Sequence, residues 1–211
     1  MPELACPPSK IGNYIGHGAE RYVYDITDDP TKIVGLETFE TLPQRMKINF
    51  YLGNILYLLL PEHFPRIYFS QGGKKPQTIA EKIICDKKSE PTDLYSDIES
   101  LYTKLRIFGF DTDLLDDNIR ANWGYRNGKI VYLDKVDLDG LINSRGQVLI
   151  RKIRKGQNPY AFDFVKLKDS LTHIDPQTRN RILRHFQSYK RVMDSFTIKY
   201  TTNSHRRKFN F

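Results

Sequence analysis

In the first third of the chain apolar and polar positions alternate in the short runs of half-buried strands. Asn13–Ile15, the turn Gly16-His17-Gly18 and Arg21–Ile26 read as strand, glycine turn, strand. Thr27 to Pro30 is a run of turn formers, and Lys32–Val34 opens a third strand. An antiparallel meander is expected, with the glycine loop as its first turn. From Gln44 to Leu60 the pattern becomes helical, and Pro61, which has no N–H to donate, ends it. Ile55, Leu56, Leu58, Leu59 and Leu60 are nearly continuous, so much of this helix should be buried. Phe64–Phe69 and Thr78–Ile84 read as two more strands around the turn-rich stretch 72–76. Asp86 to Pro91 is polar and turn-rich, the expected hinge between two lobes. Leu94, Ile98, Leu101, Leu105 and Phe108 share one helical face, closed by Gly109. Ile119–Arg126 and Lys129–Asp134 flank Asn127-Gly128, the pair that best suits a tight hairpin turn. A second hairpin is expected around Ser144–Gly146. Asp175-Pro176 starts a last helix with the stripe Ile182, Leu183, Phe186, Tyr189, Met193 and Phe196, and residues 205–211 should be loose.

Composition narrows the class. The 211 residues are 39% hydrophobic and 12% aromatic, which suits a folded chain with one substantial core or two small lobes. No apolar run approaches the roughly 20 residues that cross a bilayer. The start MPELACPPSK lacks the basic-then-apolar order of a signal peptide, so a cytoplasmic protein is expected. Cys6 and Cys85 are lone thiols without metal-ligand spacing, which suits a reducing compartment and gives no structural zinc site. The net charge of +8 is concentrated toward the end: residues 145–211 hold 16 Lys and Arg against 4 Asp and Glu. That basic third could meet an acidic protein, an anionic membrane surface or a polyphosphate, or could be a solvated face. Nucleic acid is disfavoured, because no aromatic-interleaved binding motif accompanies the charge.

Candidate chemistry gathers between Gly109 and Asp137. A loop carrying Asp113 and Asn118 lies between a helix and a hairpin, and the hairpin's second strand runs into Asp134. Phosphoryl transfer needs such groups: a carboxylate to accept the proton of the attacking hydroxyl, and oxygen ligands to hold Mg²⁺ on the phosphates. Taken alone, Asp113, Asp116 and Asp117 would be solvent-facing loop acids and Asn118 a turn former. Trp123 reads as core packing, and His17 and His63 as structural or solvated.

Residues 111–118 resemble the catalytic loop H-R-D-x-x-x-x-N of the protein-kinase superfamily, and Asp134 resembles the Asp of its D-F-G motif. The resemblance implies that Asp113 is the catalytic base and that Asn118 and Asp134 hold the metal. Asp111 and Thr112 replace the family's His and Arg, Leu115 its lysine, and Lys135 and Val136 its Phe and Gly. Upstream, Ile15 to Val23 is similar to the glycine-rich loop G-x-G-x-x-G-x-V. The likeness implies that Ile15, Gly16 and Gly18 cover the nucleotide, that Val23 lies over adenine, and that backbone near Glu81 to Ile83 faces it. Gly35 falls where the strand motif V-A-I-K ends in its phosphate-gripping lysine. Arg21 takes the third-glycine position, where the with-no-lysine kinases carry a relocated lysine, and is the expected substitute. Lys32 is the other candidate, three residues from Gly35 and so on the opposite strand face.

The resemblance covers residues 11–137. It implies a bilobal α+β fold with an antiparallel-sheet N-lobe (residues 1–86) and a shortened, mainly helical C-lobe (residues 87–211). The activity it implies is ATP-dependent phosphoryl transfer, with Mg²⁺ or Mn²⁺, to a Ser or Thr hydroxyl of a protein. A pseudokinase that serves as a binding module, or a small-molecule kinase, would share these features. Short length and missing accessory motifs resemble the minimal kinases of bacterial effectors or viruses. For an effector, the site of action would be the host cytosol.

Overall fold

The computed structural model describes residues 10–17, 21–38, 43–74, 76–86, 94–111, 115, 122–134, 160 and 162–206. Five antiparallel strands form one sheet: β1 (Ile11–His17), β2 (Arg21–Ile26), β3 (Asp29–Glu37), β4 (Ile67–Gln71) and β5 (Gln77–Glu81). Their spatial order is β1-β2-β3-β5-β4. Helix α1 (Pro43–Leu59) carries the chain from β3 to the far edge, and β5 returns between β3 and β4. Helix α2 (Leu94–Ile107), the hairpin β6 (Trp123–Arg126) and β7 (Lys129–Tyr132), and helices α3 (Phe164–Ser170) and α4 (Pro176–Arg206) complete the mixed architecture.

The predicted elements differ from these mainly at their ends. Strand β3 begins at Asp29, leaving only Thr27 and Asp28 for the turn. Strand β4 starts at Ile67, not Phe64. Pro65 has no N–H for a ladder, and Phe64 turns into the core with 2% exposure. Strand β5 stops at Glu81, because the segment after it docks on the small hairpin: Asp86 N–H donates to Tyr125 O at 2.8 Å. Helix α3 escaped the pattern, since seven residues with two lysines and an aspartate show little stripe. Its cap is plain in the structure, where Asp163 Oδ1 accepts from the N–H groups of Val165 (2.8 Å) and Lys166 (3.2 Å). The expected hairpin at 144–146 lies outside the described residues.

Local chemistry explains the long elements. Helix α2 ends with Phe110 N–H on Leu105 O and Gly109 N–H on Arg106 O, the two bonds of a Schellman closure. Helix α4 is capped by Asp175, just before Pro176: Asp175 Oδ1 accepts from Thr178 N–H at 2.9 Å. Helix α1 is apolar around most of its circumference because it is covered on two sides. Its Gly53 lies on Ile67 of β4, and α4 packs along it. Ile48, Leu52, Ile55 and Leu56 are fully buried, in one core with Leu101 and Leu105 of α2, Tyr132 of β7, and Ile182, Tyr189 and Met193 of α4. Burying each such side chain stabilises the fold by about 1.5–3 kcal/mol. No helix among the described residues is long and apolar enough to cross a membrane.

Candidate functional site

Strand register decides which side chains share a face, because directly paired residues point to the same side of a sheet. Arg21 pairs with Glu37, Val23 with Gly35 and Asp25 with Ile33. Gly35 pairs in turn with Thr78, Ile33 with Ala80, and Ala80 with Ile67. Arg21, Val23, Ile33, Gly35, Thr78 and Ala80 therefore line one face, and Ile67 beside α1 marks it as the inner one. Tyr22, Tyr24 and Val34 share the opposite face, where Val34 is fully buried and Tyr22 is exposed, with Lys32 next to them by alternation.

On the inner face the Arg21 stem lies across Gly35. A Cβ built on Gly35 would stand 2.5 Å from Arg21 Cδ, 3.2 Å from Cγ and 3.3 Å from Nε. From there the guanidinium leaves the sheet, and Nη2 donates to Asp134 Oδ1 at 3.1 Å, joining residues 113 apart in sequence. The Arg21 side chain is 17% exposed and that of Asp134 40%, so the pair faces solvent on the carboxylate side. Such a hydrogen-bonded pair of opposite charges is stronger than a neutral hydrogen bond.

Asp134 follows directly on a hairpin that is pinned at its end. Tyr132 N–H donates to His63 O (2.9 Å) and Leu133 N–H to Asn122 O (2.8 Å). His63 is itself buried: its Nδ1–H donates to Ile130 O (2.8 Å), and its Nε2 faces the Lys104 ammonium (2.8 Å). Burial holds the His63 pKa below its ordinary 6.5, with Lys104 acting in the same direction and the Ile130 carbonyl opposing.

The segment 81–86 bridges sheet and hairpin. Glu81 Oε1 takes a hydrogen bond from Arg126 Nη1 (2.8 Å), and its Oε2 takes one from Arg66 N–H (3.1 Å). Lys82 Nζ reaches Asp25 Oδ1 (2.6 Å), Cys85 Sγ covers Gly124, and Gly128 N–H donates to Asp86 Oδ2 (3.0 Å). These contacts tie the sheet to the small hairpin that precedes Asp134, and the spacing of the sequence did not single them out.

The other expected site residues fall as follows. Gly16 pairs with Val23, and a Cβ there would touch nothing within 4 Å, so the strand is open above it. Ile15, at a register shift between Tyr14 and Gly16, is 48% exposed. Ile83 is half-buried in the bridging segment. Lys32 donates to Asp29 Oδ2 at 2.6 Å and lies 4.6 Å from the centre of the Tyr68 ring, on the face opposite Gly35. Gly18, Asp113 and Asn118 lie outside the described residues. Leu115 is buried in the core with 4% exposure. Among the described residues no three His, Cys, Asp or Glu side chains gather as a metal cluster.

A guanidinium can bind a phosphate and a carboxylate can ligate a divalent cation, and the described residues bring one of each together. The two stand beside a face that also carries Val23, Ile33, Gly35 and Ala80, with Asp25, Glu37 and Thr78 as its polar members. No protein-family model matches the chain, and no curated protein matches it. Among solved structures it is similar to the Rio2 kinase from Chaetomium thermophilum, in an ADP/Mg²⁺-phosphoaspartate complex. The identity is 14% and the TM-score 0.38, over 86% of this chain and 71% of that one. The likeness is distant. It decides neither activity nor ligand for this chain.

Proposed function

We propose that this protein is an ATP- and Mg²⁺-dependent phosphotransferase, a protein kinase of minimal type acting on Ser or Thr hydroxyls. The observation that carries the reading is the Arg21–Asp134 pair, which brings the glycine-turn strand and the end of the small hairpin to one point. On this reading residues 1–86 and 87–211 are the two lobes, and the inner sheet face is the roof of the cleft between them. Val23, Ile33 and Ala80 would pack on the adenine, with backbone at Glu81 to Ile83 along its edge. Gly16 and Gly18 would let the backbone approach the phosphates, and Arg21 would place its positive charge on them. Asp134 and Asn118 would hold the metal, and Asp113 would accept the proton of the attacking hydroxyl. Magnesium, or manganese in its place, compensates the phosphate charge when bound. The basic C-terminal third would serve an acidic partner or the protein substrate.

One observation favours a second reading. The Asp134 carboxylate is engaged by a guanidinium, which suits a pseudokinase whose site is closed by its own ion pair. Transfer of label from γ-³²P-ATP in Mg²⁺, to the protein itself and to a panel of Ser/Thr peptides, tests the choice. Transfer that disappears in Asp113→Ala and Asp134→Ala supports the kinase. ATP binding without transfer supports the pseudokinase, and the absence of both removes the nucleotide reading.

A further inference from the structure

Gly35 stands where the kinase resemblance demands a lysine, and its lack of a side chain has a use in this fold. Its backbone does not require glycine, since it is not among the residues with positive φ. Space requires it. Any Cβ would lie 2.5 Å from Arg21 Cδ, whereas carbon atoms rest about 3.5–4.0 Å apart, so the arginine stem would have to withdraw by about 1 Å. Cδ is the atom that carries the guanidinium, and the 3.1 Å bond to Asp134 has little slack before it leaves hydrogen-bond range.

We propose that Gly35 is a positioning residue. It forms the channel through which Arg21 crosses from β2 to Asp134, so that a cation on the neighbouring strand works at the place where β3 carries Gly35 and not a lysine. The last clause rests on the phosphotransferase reading; the channel itself does not. Putting a lysine at 35 would therefore not repair the site while Arg21 remains, because the new side chain and the arginine stem would claim the same volume.

The test reads Arg21 directly, by the NMR signal of its Nε–H group in the full chain. With Gly35 present, Asp134→Asn should shift that signal; in Gly35→Ala the same change should leave it in place. An equal response in both backgrounds would overturn the proposal. Should Gly35→Ala fail to fold, the double variant Arg21→Ala/Gly35→Ala decides. A folded double variant supports a clash with Arg21, and an unfolded one shows that Gly35 is needed for another reason and overturns it. Titration with Mg²⁺·ATP then reads the consequence. Gly35→Ala should weaken binding about tenfold when Arg21 is present and less than about twofold when residue 21 is alanine. Equal weakening in both would contradict action through Arg21. If the unaltered chain binds no ATP while the NMR result holds, the phosphotransferase reading falls and the channel stands.

Discussion

The small hairpin β6–β7 pairs four residues with four in unbroken register, whereas β1–β2 slips twice along its length. In the small hairpin Trp123, Tyr125, Ile130 and Tyr132 are core residues, and Asn127 and Gly128 hold the positive φ angles of 54° and 72° that a tight turn needs. On β1–β2 the rings of Tyr14, His17, Tyr22 and Tyr24 cluster on a surface where Tyr14, Ile15 and Tyr22 are about half exposed. One hairpin is part of the core; the other is held chiefly by its ladder. Arg21 belongs to the second and Asp134 follows the first. The candidate site thus joins a strand of the partly exposed sheet hairpin to a point that follows the buried one.

Four experiments break or sharpen that contrast. Tyr132→Ala removes a fully buried ring and should cost about 3–5 kcal/mol in urea denaturation, whereas Tyr22→Ala should stay within about 1 kcal/mol. Comparable losses would erase the distinction between the hairpins. Asp134→Ala and Arg21→Ala should each lower phosphate transfer about 100-fold, equivalent to about 2.7 kcal/mol. Both should unfold close to the parent, since a partly exposed ion pair contributes only about 0–1 kcal/mol. Gly128→Ala should cost about 1–2 kcal/mol, because alanine resists a φ of 72°. Gly16→Ala, at an open site without positive φ, should change stability by only a few tenths of a kcal/mol.

The smallest effect is a pH dependence of the anchored hairpin. Burial lowers the His63 pKa in the folded protein, so just below the ordinary value of 6.5 the unfolded chain binds more protons and stability falls as pH falls. His185 is shifted down by burial and by Arg181, Arg184 and Arg66, so it adds to the same slope. Thermal midpoints should therefore decline from pH 7.5 to pH 5, and His63→Gln should flatten that decline without abolishing it. A slope that His63→Gln leaves intact would place its origin elsewhere.

Much of the fold was legible because local chemistry specified it. Pro61 after α1, Gly109 after α2, Asn127-Gly128 and Asp175-Pro176 each mark a boundary that the structure places within a residue or two. Register was not legible. The turn Thr27-Asp28 by itself would set Val23 opposite Lys32, yet the ladder slips between Asp25 and Ile26 and sets Val23 opposite Gly35. Pro30, without an N–H, lies in the slipped stretch. Only with that slip does Arg21 come to lie over Gly35, so in the sequence Gly35 reads as a missing lysine and not as space for an arginine. The pairs Glu81–Arg126 and Lys82–Asp25 were hidden for a related reason: each joins residues at least 45 apart, and no spacing rule links them.

Isothermal titration of the protein with ATP in Mg²⁺ tests the central claim most directly. Saturable binding that is lost in both Arg21→Ala and Asp134→Ala is the result expected of a phosphate site built on this pair. Heat no greater than dilution, or binding that both variants retain, would contradict it.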